Sequence, residues 1–263
     1  MKRKKNLLIV IDMQNDFCLP DGALYVPGAE DDIQRVKNFI DRNYRMIDHI
    51  VLTQDNHQVI DISHPNFWVD KNGSHPDPFT MIRPDDLKSE KWLPVSNTDE
   101  VTTYINKLNS KGEFTHTIWP EHCIMGSRGA AVTDAVMQAV TRWARMGNYF
   151  EVIVKGTHPL TEYFGALRAN IPVPGAPETG LNEKLVATFR EYDNIVIVGE
   201  AKSHCVANTI KQMLELDDLE EKIIILEDCM SNVTGFEHVA DAIYNAAKNR
   251  GATWSNSTEL NLN

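Results

Sequence analysis

The sequence is short of cysteine, of long apolar runs and of positive charge, and each shortage excludes a class of protein. Four cysteines in 263 residues, at 18, 123, 205 and 229, stand far apart with no Cys-x-x-Cys pair. That argues against a disulfide-stapled scaffold and for free thiols in a reducing compartment. No stretch approaches the ~20 apolar residues a membrane helix needs. The opening MKRKKNLLIVIDMQNDF imitates a secretory leader, but its apolar run stops at Asp12 and no small-residue cleavage site follows. A cytoplasmic protein is the expectation. Lysine plus arginine number 26 against 37 aspartates and glutamates, a net charge of −11. Such a surface repels phosphate backbones and anionic lipid, so neither nucleic acid nor a membrane is an expected partner. Apolar residues at 42% and charged residues at 24% are ordinary for a packed protein. The length suits one α/β domain spanning 1–263.

Against these shortages stand five brief, almost wholly apolar runs: 7–11 (LLIVI), 49–52 (HIVL), 151–154 (EVIV), 195–198 (IVIV) and 223–226 (IIIL). Most lack alternation, which predicts strands covered on both faces, as in a parallel sheet. A sixth strand is predicted near 252–254. Between them, apolar residues recur at helical spacing over 30–44, 131–146, 206–216 and 238–249. Strands alternating with helices predict βαβ units. Residues 64–118 read differently. They are rich in Pro, Asn, Asp and Ser, and predict a long irregular insertion with one short helix near 98–108.

In open α/β sheets, ligands bind beyond the carboxyl ends of the strands. Asp12 follows the first predicted strand, Asp55 and His57 the second, and Lys155 the third. After the fourth comes Gly199-Glu200-Ala201-Lys202-Ser203-His204-Cys205, leading into a helix. An acid, a lysine and a cysteine therefore meet at one edge of one sheet. A cysteine at a helix N-terminus beside a cation is disposed towards the thiolate. Asp12 is placed to take the thiol proton and return it to a leaving amine. Backbone N–H groups at the start of the helix offer an oxyanion hole. The pattern points to acyl transfer through a thioester.

Five segments carry a family resemblance: Ile9 to Phe17 (IVIDMQNDF), Thr53 to His57 (TQDNH), Trp119 to Cys123 (WPEHC), Lys155-Gly156, and Gly199 to Val206. Spread along nearly the whole chain, they resemble the isochorismatase-like cysteine hydrolases, and among these the nicotinamidase-like members. The resemblance implies a three-layer α/β/α fold with sheet order 3-2-1-4-5-6. It also implies Asp12, Lys155 and Cys205 as catalytic residues, with a cis peptide at Glu200-Ala201 shaping the oxyanion hole. Phe17, Leu24, Trp119, Phe164 and His204 would line a pyridine pocket. Asp55, His57 and His122 would hold a divalent metal, with His64 a further candidate one residue late. Zn²⁺ suits mixed nitrogen and oxygen ligands, and Fe or Mn also fits. The implied reaction is deamidation of nicotinamide to nicotinate and ammonia, a step of NAD salvage, by a homo-oligomer whose other partner is a small amide.

The family usually has an apolar residue at 200, Thr at 202 and an acid at 203. Here these are Glu200, Lys202 and Ser203, either reshaping the pocket or pairing with each other. Two alternatives follow: a cysteine amidase of the same family acting on another amide or carbamoyl compound, or a non-catalytic metal- or ligand-binding scaffold. Vinyl-ether hydrolysis of the isochorismatase type is disfavoured by the presence of Cys205.

Overall fold

The computed structural model describes residues 3–111 and 114–262. Six parallel strands form its centre: β1 (Asn6–Ile11), β2 (His49–Asp55), β7 (Phe150–Lys155), β8 (Asn194–Gly199), β9 (Ile223–Leu226) and β10 (Thr253–Ser255). Their spatial order, β10-β9-β8-β1-β2-β7, is the expected one. β1 lies in the middle with all six residues buried.

Sheet chirality and the 3.6-residue period put a helical layer on each face. After the single-turn α1 (Asn15–Cys18), α2 (Ala29–Asn43) directs Ile33, Val36, Phe39 and Ile40 onto Leu8, Val10, Ile50 and Leu52 on one face. α5 (Asp134–Ala144) adds Val136, Val140 and Trp143 to the same cluster. Glu30, Asp31 and Asp32 occupy the first turn of α2, where negative charge answers the helix dipole. On the other face, Leu7, Ile9, Ile195 and Ile197 meet Ile210 and Met213 of α7 (Ala207–Leu214). Ala247 of α8 (Asp241–Asn249) packs there too.

Three expectations need correction. β7 is not covered on both faces. It is the edge strand, and Phe150, Val152 and Val154 are 36–51% exposed. A helix absent from the sequence reading, α6 (Glu183–Arg190), covers its other side through Leu185, Val186 and Phe189. Asn182 caps it, its side chain accepting from the Leu185 N–H at 3.0 Å.

The third correction concerns residues 64–118, which are not irregular. They hold β3 (Trp68–Val69), β4 (Met81–Ile82), α3 (Pro84–Lys88), β5 (Leu93–Pro94), α4 (Thr98–Lys111) and β6 (His116–Thr117). β3 pairs antiparallel with β5, and β4 with β6. Val101, Tyr104, Ile105 and Leu108 of α4 close a small core of their own with Phe67, Trp68, Ile82 and Ile118. Among the described residues, no helix is long and apolar enough to cross a membrane.

Candidate active site

β1 and β8 come close together where the sheet ends. Gly199 has φ +121°, and a Cβ there would run into the Ile11 carbonyl, so only glycine lets β8 finish beside β1. The chain leaves β8 through a cis Glu200-Ala201 peptide and a wide helical turn, 202–206, that runs into α7. Cys205 lies on that turn, 6% exposed. Within the turn, the His204 and Val206 N–H groups donate to the Ala201 carbonyl and the Lys202 N–H to the Ser231 carbonyl. Among the described residues, no backbone carbonyl outside the turn accepts from the Ala201 or Cys205 N–H.

The end of β7 brings Lys155 to the same point. Its Nζ lies 2.7 Å from Asp12 Oδ2, 3.3 Å from Asp55 Oδ1 and 3.6 Å from Cys205 Sγ. Burial alone would neutralise this ammonium, but the carboxylates of Asp12 and Asp55 hold it well above its ordinary value. Asp12 also accepts from Thr53 Oγ1 at 2.5 Å. Burial pushes Asp12 up and Lys155 pulls it back, leaving it raised. For Cys205, burial outweighs the pull of Lys155, and the thiol stays well above its ordinary value. The expected resting thiolate is thus replaced by a protonated thiol within reach of Asp12, because the site is dry as well as cationic.

Beside this trio, Asp55 meets three histidines. Gln14 clamps the Asp55 backbone from both sides, donating to its carbonyl at 2.6 Å and accepting from its N–H at 2.7 Å. Asp55 Oδ2 is 3.1 Å from His57 Nε2 and 3.9 Å from His122 Nε2. The rings of His57, His64 and His122 lie with centroids 4.7–5.3 Å apart. Each Nδ1 faces an oxygen: Asp61 Oδ2 at 3.3 Å for His57, the Gln58 carbonyl at 3.2 Å for His64 and the Pro120 carbonyl at 2.8 Å for His122. That outer arrangement leaves the Nε2 atoms as the inward lone pairs, the usual backing of metal-binding imidazoles. The His64 Nε2 atom is buried without a hydrogen bond. Ligand atoms of Asp55, His57 and His122 lie within 4.8 Å of one another. Asp55 and Asp61 hold His57 well above its ordinary value against the effect of burial, and the clustered carboxylate and imidazole donors fit a divalent cation.

An aromatic pocket opens over Cys205. Phe17, Leu24, Trp119, Phe164 and His204 all line it, with Asp55, His122 and Ala201. Its free space, about 20 Å³, holds roughly one water molecule. An adjoining cavity of about 110 Å³ shares the wall of Trp119, Phe164 and His204. His204 sits among Trp119, Phe164 and Phe236 with ring centroids at 5.1–5.4 Å. Burial lowers it to about 4, so it is neutral. Glu200 and Lys202 do not pair. Glu200 is fully buried and accepts from the Ser231 N–H at 3.0 Å, while Lys202 lies over the Tyr244 ring. Sequence reasoning missed Thr53, Asp61, Glu162, Val233 and Phe236. Thr53, at the carboxyl end of β2, was open to the strand-end rule, whereas burial alone reveals Glu162.

The chain is 27% identical to the nicotinamidase of Saccharomyces cerevisiae over 210 residues, 80% of this chain and 81% of the relative. It is 25% identical to the nicotinamidase of Escherichia coli over 209 residues, 80% and 76% of the two chains. The solved yeast nicotinamidase superposes with a TM-score of 0.66 at 24% identity, covering 95% of this chain and 98% of that one. A pyrazinamidase of Pyrococcus horikoshii, solved in complex with zinc, gives 0.55 at 20% identity over 96% and 99%. No protein-family model matches. Fold, relatives and the residues at the strand ends agree in one likeness: the chain is similar to the nicotinamidases and shares their fold.

Proposed function

We propose that this protein hydrolyses nicotinamide to nicotinate and ammonia through a thioester on Cys205. One observation carries the reading. Cys205 Sγ, Lys155 Nζ and Asp12 form one buried contact at the floor of an aromatic pocket, with Lys155 Nζ 3.6 Å from the sulfur and 2.7 Å from the carboxylate. As the sulfur attacks the carboxamide carbon, its proton passes to Asp12 and Lys155 stabilises the charge left on sulfur. The N–H groups of Ala201 and Cys205 hold the oxyanion. Collapse of the tetrahedral adduct breaks the C–N bond, and Asp12 returns its proton to the departing ammonia. Asp12 then takes a proton from the water that cleaves the thioester, and the thiol is restored as nicotinate leaves.

Phe17, Leu24, Trp119, Phe164 and His204 enclose a flat, weakly polar ring, and entry requires the Trp119, Phe164 and His204 wall to move aside. Asp55, His57, His64 and His122 would hold a divalent metal, with Zn²⁺ the first candidate and Fe or Mn also compatible with the donors. When bound, the metal supplies a Lewis-acidic anchor for the ring nitrogen. The same reading places the enzyme in the cytoplasm, as a homo-oligomer.

The test is ammonia release from nicotinamide by the purified protein, with and without a chelator, beside Cys205→Ala. Turnover that Cys205→Ala abolishes and chelation suppresses supports the reading. An inactive, metal-loaded parent refutes the substrate assignment. Activity of that protein on another amide, still dependent on Cys205, would then favour a related amidase.

A further inference from the structure

The proposed mechanism leaves one buried acid on the pocket wall without a task. Glu162 is 4% exposed and lines the same cavity as Cys205, Asp55 and His122. Its Oε2 is buried and has no hydrogen-bond partner among the described residues. A buried carboxyl oxygen left so is unanswered by the protein itself. It shares that wall with Asp55 and His122, two residues of the metal-binding cluster. Yet it is not among the three residues whose ligand atoms converge within 4.8 Å, so it stands outside the inner set.

We propose that Glu162 is an outer carboxylate of the metal centre, accepting a hydrogen bond from a water bound to the metal held by Asp55, His57 and His122. This rests on the metal reading given above.

The backbone supports such a role. Glu162 is fixed from both sides: its N–H donates to the Tyr104 hydroxyl at 3.2 Å, and its carbonyl accepts from the Asn170 N–H at 3.0 Å. Tyr104 belongs to α4, in the 64–118 segment, and packs in that segment's own core. Through Tyr104 the core of that segment reaches the metal centre, and Tyr104 is a positioning residue for Glu162.

The experiment is a competition titration of zinc against a chromophoric chelator. It compares the parent chain, Glu162→Gln, Glu162→Ala, Tyr104→Phe and His57→Ala, each checked for folding by its melting curve in chelator. Outer-sphere carboxylates near metals affect affinity by about 10- to 100-fold. The expected result is zinc affinity weakened about tenfold in Glu162→Gln and more in Glu162→Ala, a smaller loss in Tyr104→Phe, and the largest in His57→Ala. If His57→Ala loses zinc while both Glu162 variants stay within twofold of the parent, the role of Glu162 is overturned and the metal site stands. If His57→Ala binds zinc as the parent does, the metal reading falls and takes this inference with it.

Discussion

At the residue scale, the chemistry rests on how few charges share a dry space. Lys155 is held as an ammonium by Asp12 and Asp55, while burial keeps the Cys205 thiol protonated. The account predicts that Cys205→Ala lowers kcat by about a thousandfold or more, since no other group supplies the nucleophile. Asp12→Asn should remove turnover as completely and also destabilise the chain. It leaves Lys155 with Asp55 as its one carboxylate, and breaking a buried pair costs about 3–5 kcal/mol. A urea midpoint compared with that of Cys205→Ala checks this. The pH profile follows from the sign of the Asp12 shift. Asp12 must be ionised to accept the thiol proton, and its value is raised from 3.8. kcat/KM is therefore expected to fall on the acid side at a pH above that of an ordinary aspartate, and an acid limb at or below 3.8 contradicts the assignment. Asp12, Asp55, Lys155 and Cys205 were legible in the sequence because a parallel sheet delivers its strand ends to one edge. Glu162 was not, because only the packing of α4 and the 160–170 loop buries it.

At the scale of elements, the turn after β8 shows how a departure from the family pattern is accommodated. Burial and the neighbouring Asp32 carboxylate push Glu200 well above its ordinary value of 4.5. Ser231 ties the two together, its Oγ donating to Asp32 at 2.6 Å and its N–H to Glu200 at 3.0 Å. A carboxyl with a raised folded value contributes stability that is complete below about pH 4.5 and lost as pH rises through that folded value. Glu200→Gln should therefore flatten the decline of melting temperature between pH 5 and 8. An unchanged slope shows that the carboxyl is ionised in the fold. Phe39, fully buried between α2 and the sheet, should cost about 3–5 kcal/mol as Phe39→Ala, read from denaturant midpoints. The strands were legible because apolar runs covered on both faces leave little else for a sequence to mean. α6 was not, because eight residues offer only Leu185, Val186 and Phe189 as a pattern. The order within 64–118 was hidden for another reason: its strands are two residues long and its core closes through tertiary contacts.

At the scale of the molecule, sheet topology and site are one design. The order β10-β9-β8-β1-β2-β7 sets β8, β1, β2 and β7 side by side, so Cys205, Asp12, Asp55 and Lys155 meet without any long loop carrying them. The cluster of Asp55, His57, His64 and His122 joins the end of β2 to the loops holding His64 and His122, so on the proposed reading metal binding there should stabilise the whole fold. Ligand at 100 times its Kd contributes about 2.7 kcal/mol. For a chain of this size that is a rise in Tm of about 5 °C or more, which His57→Ala should abolish. The most direct test of the central claim is mass spectrometry of the protein acid-quenched during turnover of nicotinamide. The account predicts one nicotinoyl group on the peptide carrying Cys205, absent without substrate and absent in Cys205→Ala. Turnover by Cys205→Ala at the parental rate, or the acyl group on another residue, contradicts it.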